Sequence, residues 1–253
     1  MSGHRWAART AAGAAAVALT VSGGTLARAD DDLDGLSAQE IAERSRDALL
    51  DADSLHLSAR GTVDGSGRAM SLDLTLDRAG NCAGGVDQGE DGSVEIVKRG
   101  DDVWLKPDAA FWKEHVPVGG STFHAILDGR YMKAAADDPR LMGVTDACDL
   151  DTFRKLIEDN AGAAERGTLT KGKKARVNGV PAVPVTRVEG GERLTVHVAA
   201  EGTPYPVRIT VRNAEERGTV DFSGFDRPVP SATPPPDETV DVTALLGRSV
   251  SPV

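Results

Sequence analysis

The feature that most constrains this chain is an unbroken alternation of apolar and polar side chains, Met70-Ser71-Leu72-Asp73-Leu74-Thr75-Leu76-Asp77. A period of two places every apolar residue of the run on one face of an extended strand. Such a strand is half-buried, so it belongs to an antiparallel sheet with one face on a core and the other in water. The pattern recurs over residues 55–59, 93–98, 102–106, 168–171, 182–188, 193–199, 206–212 and 218–223. Turn formers stand between the runs: Asp64-Gly65-Ser66-Gly67, Arg99-Gly100-Asp101, Asn178-Gly179 and Gly190-Gly191.

Two regions carry the helical period instead. Ser37-Ala38-Gln39-Glu40 is a capping box, and Ile41, Ala42, Ser45, Ala48, Leu49 and Ala52 then fall on one face. Within 121–161, Phe123, Ile126 and Leu127 form one apolar segment, and Leu150, Phe153, Leu156 and Ile157 another, capped by Asp149 or Asp151. Residues 228–236 are Pro-rich and read as an extended connector, and 239–246 as a strand or a helical turn. Strand blocks separated by helices without a long central linker predict one α+β domain over 30–253.

Residues 1–29 have the anatomy of an export signal. Arg5 and Arg9 precede an Ala/Val/Leu run of about ten residues, too short for the roughly 20 that a membrane span needs. Ala27-Arg28-Ala29 then offers a cleavage site before the acidic stretch Asp30-Asp31-Asp32. Cleavage after Ala29 removes three arginines and takes the net charge from -10 to -13. No cysteine lies near that site to serve as a lipidated anchor, so the expected location is secreted or extracytoplasmic. The only cysteines are Cys82 and Cys148. An even count in an oxidising compartment predicts a disulfide, with buried free thiols as the alternative; two thiols without a nearby His pattern do not make a zinc site.

The net charge argues against nucleic-acid binding, which requires a clustered basic surface. The one basic cluster, Lys171, Lys173, Lys174 and Arg176, is a candidate contact for anionic lipid headgroups or wall polymers. It closes a stretch, 167–174, that matches a phosphate loop until Lys174 takes the Ser/Thr position, and it leads into strand rather than helix. The sequence offers neither a G-x-S-x-G elbow nor H-E-x-x-H. His56, His115, His124 and His197 are far apart in sequence. No enzyme, cofactor or metal site is expected.

What remains is apolar shape, in the rows Met70-Leu72-Leu74-Leu76, Val94-Ile96, Val103-Leu105, Leu194-Val196-Val198 and Val207-Ile209-Val211. These rows form either a filled core or a curved sheet closed by helices around a cavity for acyl chains. Only 4% of the residues are aromatic, which favours the cavity because Leu and Val leave space that large rings would fill.

Three local patterns carry a resemblance. They are 71–76 followed by Cys82-Ala83-Gly84; 100–108 with Val103-Trp104-Leu105 followed by Phe111-Trp112; and 202–209 leading to Phe222-Ser223-Gly224-Phe225-Asp226. On these, residues 37–246 resemble actinobacterial exported proteins of the LppX/LprAFG class, whose fold is similar to the periplasmic carrier LolA. The resemblance implies a strongly curved antiparallel half-barrel with helices on its concave side, enclosing a pocket for lipids or for lipidated glycans or proteins carried across the envelope. This chain departs from the class in lacking the lipobox cysteine. Related folds also serve as envelope sensors, so the alternative is a protein-interaction module without a lipid. The cavity candidates are Leu72, Leu74, Val94, Ile96, Leu105, Leu194, Val196 and Ile209, with Trp104, Phe123, Ile126 and Leu127 as lid or plug.

Overall fold

The computed structural model describes residues 33–62, 69–116, 118–139, 141–164, 168–214 and 217–243, the side chains of 142, 143, 156 and 159–164 excepted. The expected signal segment, the 64–67 turn and the Leu156 side chain lie outside what is described.

The first helix, α1 (Ala38–Asp51), starts where its capping box places it. Ser37 Oγ accepts from the Glu40 N–H at 3.2 Å, and the Glu40 carboxylate accepts from the Ser37 N–H at 2.8 Å. Its buried face is Ile41, Ser45 and Leu49. A meander follows, β1 (Ser54–Thr62), β2 (Ala69–Asp77), β3 (Cys82–Asp87), β4 (Ser93–Arg99) and β5 (Asp102–Pro107). Then come α2 (Ala109–His115), α3 (Gly120–Leu127), β6 (Tyr131–Ala135), α4 (Met142–Asp146) and α5 (Leu150–Ala164). The second strand block is β7 (Leu169–Lys171), β8 (Ala175–Val177), β9 (Val180–Glu189), β10 (Glu192–Ala199), β11 (Pro206–Arg212), β12 (Arg217–Ser223) and β13 (Thr239–Asp241).

All thirteen strands join one curved, unclosed sheet in the order β13-β6-β5-β4-β3-β2-β1-β12-β11-β10-β9-β7, with β8 also paired to β9. The architecture is the α+β half-barrel with one refinement: β13 runs parallel to β6, so the sheet is mixed rather than wholly antiparallel. The connector explains this. From β12 to β13 the chain passes seven strand positions in 15 residues, of which the Pro-rich 228–235 run extended between a turn at 224–227 and one 3-10 turn at Pro236–Glu238. Prolines hold the backbone in that state, and a chain arriving by crossover rather than hairpin is free to pair in parallel.

Register carries one apolar row across the sheet: Val94, Val86, Leu72, Ala59, Val220, Ile209, Val196 and Val185 are successive partners. A neighbouring row runs Leu105, Ile96, Gly84, Leu74, Leu57 and Phe222. The helices pack on this face. Phe111, Leu141, Val144, Leu150, Phe153 and Ile157 meet the β1–β6 half, and Ile41 with Ala38 and Ala42 covers Val183, Val185 and Val198. Cys82 and Cys148 form a disulfide with Cα atoms 5.3 Å apart, tying β3 to the segment between α4 and α5. That crosslink fits an oxidising compartment.

Candidate functional site

Between the β2–β4 face and helices α2 and α4 lies a cavity of about 280 Å³. Its sheet wall is Met70, Leu72, Val86, Val94 and Ile96, and its helical wall is Phe111, Val144 and Ala147. Alternation in β2 and β4 dictates the first set, since the side chains that face the helices are every second residue. Gly92 is the glycine of the lining; Gly84, between Leu74 and Ile96 in the row, stands outside it.

The helical wall is set by a cap. Asp108 closes β5 and opens α2, its Oδ1 accepting from the Phe111 N–H at 2.8 Å and its Oδ2 from the Ser93 N–H and hydroxyl at 2.9 and 2.8 Å. Burial alone would raise the Asp108 carboxyl; the bonds from Phe111 and Ser93 outweigh it and hold the group below the usual carboxylate range. Phe111 then rests on Gly92, at φ +99°, where any Cβ would overlap the Phe111 backbone. Gln88 supplies the polar side chain of the lining, and its Oε1 lies 2.8 Å from His115 Nε2. A wall of this composition desolvates an apolar chain. It offers no nucleophile, general base or anion-binding group at its surface.

The predicted residues divide into groups. Leu72, Val94 and Ile96 line the cavity. Leu74 and Leu105 stand in the same rows but are packed in the core, at 0% and 3% exposure. Ile209 packs on that core and Val196 on the cluster beneath α1, while Leu194 is half-buried in register with Val211. Trp104 lies on the opposite face of β5 from Leu105, with Lys133 Nζ 5.4 Å from its ring centroid. On α3, Leu127 is buried, whereas Phe123 and Ile126 are 49% and 57% exposed. Met70, Val86, Gln88, Gly92, Phe111, Val144 and Ala147 complete the lining; only Met70 stood out in sequence as part of an alternating row.

The basic cluster is largely engaged in structure. Lys171 Nζ donates to the carbonyls of Leu33, Asp34 and Leu36 at 2.6–3.1 Å, fixing the turn before α1. Lys174 lies 3.8 Å from the Asp34 carboxylate, and Arg176 donates to the Gly179 carbonyl. Lys173 is exposed.

One polar array escaped the sequence because its members come from three strands. His56 Nδ1 lies 3.0 Å from Ser223 Oγ and Nε2 lies 3.0 Å from Asp73 Oδ1, on the face opposite the cavity. The residue types are those of an acyl-transfer triad. The Asp73 side chain is 68% exposed, however, and that chemistry requires a water-excluded site. Here the array bridges β12, β1 and β2. Among the described residues no cluster of His, Cys, Asp or Glu is arranged to hold a metal, and no helix is long and apolar enough to cross a membrane.

No protein-family model matches the sequence, and no curated protein matches it at a significant level. Solved structures do. The lipoprotein LppX of Mycobacterium tuberculosis aligns over 77% of this chain and 98% of its own, at 14% identity and a TM-score of 0.49. LprF of Mycobacterium bovis aligns over 78% and 96%, at 16% identity and 0.48. MucB of Pseudomonas aeruginosa, solved with MucA, aligns over 80% and 60%, at 16% identity and 0.37. This chain is similar in structure to LppX and LprF.

Proposed function

We propose that this protein is an exported, non-enzymatic carrier that shields a single acyl chain in the cavity between β2–β4 and α2/α4. The observation that carries the reading is the cavity wall, eight apolar side chains with Gln88 and Gly92. Its volume of about 280 Å³ sits just below the roughly 300–1,000 Å³ of small-molecule sites, enough for one chain rather than a multiply acylated lipid. Each methylene transferred from water gains about 0.8 kcal/mol, so shape and dryness suffice without specific chemistry. A signal segment cleaved after Ala29 and the Cys82–Cys148 disulfide both accord with an extracytoplasmic carrier.

The test is native mass spectrometry of the secreted protein, followed by organic extraction of whatever copurifies. A stoichiometric acyl-containing ligand is expected. Val86→Trp places an indole in the cavity at a half-buried position and is expected to reduce palmitate uptake at least tenfold while the circular dichroism and urea midpoint stay near wild type. A protein that purifies empty and stays empty with palmitate overturns the reading.

A further inference from the structure

The charge pattern singles out one exposed segment. Residues 115–127 contain no Asp, Glu, Lys or Arg, the longest such stretch after residue 29 in a chain that is 27% charged. A run of that kind is ordinarily buried. Here it carries Val118 at 91% exposure, Phe123 at 49% and Ile126 at 57%, three of the six large apolar side chains that are exposed among the described residues. Isolated apolar residues on a surface need no account, but three within nine residues, unaccompanied by charge, form a patch.

The patch is continuous with the cavity. Phe111 of the cavity wall meets Trp112 edge-on at 6.3 Å between centroids, and Trp112 stacks on Phe123 at 5.8 Å with ring planes 14° apart. Gly120, at the start of α3, is packed so closely on the Trp112 carbonyl that a Cβ there would overlap it. Trp112 is 7% exposed, and its Nε1–H, buried, has no hydrogen-bond partner among the described residues. Aromatic and aliphatic side chains make up the apolar face of helices that lie on a membrane surface, and here Trp112 supports Phe123 from beneath while Phe123 and Ile126 are exposed.

From this placement we infer that α3 and the turn before it dock on a lipid bilayer, with Val118, Phe123 and Ile126 entering the boundary between headgroups and acyl chains. The choice of a bilayer over a protein partner rests on the acyl-chain reading of the cavity, because a ligand that lives in membranes must enter from one. Charge specifies the kind of bilayer. The flanking residues Lys113 and Glu114 on one side and Asp128 and Arg130 on the other cancel, and the chain as a whole is acidic. Docking is therefore driven by apolar burial and owes nothing to anionic lipid.

Cosedimentation with vesicles tests this. The protein is expected to bind phosphatidylcholine vesicles at least as well as phosphatidylglycerol vesicles and to stay bound in high salt. Phe123→Ser with Ile126→Ser, both at exposed positions, is expected to cut binding at least tenfold with the urea midpoint unchanged. Three outcomes overturn the inference: no vesicle binding, binding confined to phosphatidylglycerol and abolished by salt, or concentration-dependent dimerisation through the patch in its place. Palmitate loading measured in parallel separates the two readings. Loading without vesicle binding removes the docking surface alone, and vesicle binding without loading removes the acyl cavity alone.

Discussion

At Gly84, paired with Leu74 on β2 and Ile96 on β4, the backbone takes φ +149° and a Cβ would overlap the Asp73 carbonyl oxygen. The β2–β3 ladder closes at that point only because no side chain intervenes. Gly84→Ala is accordingly expected to destabilise the protein by more than about 2 kcal/mol, through forced separation of paired backbones; an unchanged urea midpoint would show that the ladder opens there without cost. The same residue explains a gap in the sequence reading. Cys82-Ala83-Gly84-Gly85 has no alternation, because on this strand the inward positions are Cys82, Gly84 and Val86 and the glycine erases the pattern. Residue-level chemistry across strands was equally hidden. His56, Ser223 and Asp73 are joined only by register, and nothing in their spacing announces it. Burial also sorts the apolar residues of the lining. Ile96 at 1% exposure both lines the cavity and holds the core, whereas half-buried Val86 alters the cavity with less damage.

Asp108 shows how a single cap controls an element. It ends β5, begins α2 and ties both to Ser93 at the start of β4, so three elements converge on one carboxylate. Its folded-state pKa lies below the ordinary value, hence its contribution is fully present above about pH 4 and is lost as pH falls through that range. Asp108→Ala is expected to cost about 1 kcal/mol at neutral pH, the usual loss for an N-cap, and the deficit relative to wild type is expected to shrink at pH 3. Urea unfolding at the two pH values checks both statements; a deficit independent of pH would assign the effect to packing. Elements were legible in sequence where period and punctuation agreed: α1 from its capping box, and the long strands β2, β9, β10 and β11 from alternation between turns. Several short elements were not. In α2 the run Ala109–His115 is two turns, too brief for a helical period to register around its Phe111-Trp112 pair. The strands β6 and β8 have five and three residues and exist only because a longer neighbour pairs with them.

In the whole molecule the decisive join is between the sheet and the helices on its face. The helical layer meets the β1–β6 half through Phe111, Leu141, Val144, Leu150, Phe153 and Ile157, and α4, which contributes Val144 to the cavity, is only five residues long. A helix of that length has little stability of its own. The disulfide compensates. Cys82 is anchored in β3, Cys148 follows one residue after Ala147 of the cavity wall, and both are fully buried. A link across 66 residues restricts the unfolded chain by roughly 4 kcal/mol on the chain-entropy model, and in the native state it pins the α4 end of the cavity to the strand opposite. Cys82→Ser with Cys148→Ser is therefore expected to do two things together: lower the stability by roughly that amount, and weaken palmitate uptake because Val144 and Ala147 lose their fixed distance from Val86. Urea unfolding and a palmitate titration on the same preparation read both. Lost stability with undiminished uptake would mean that packing by Phe111 and Leu150 alone fixes the wall, and that the bond serves the fold rather than the cavity.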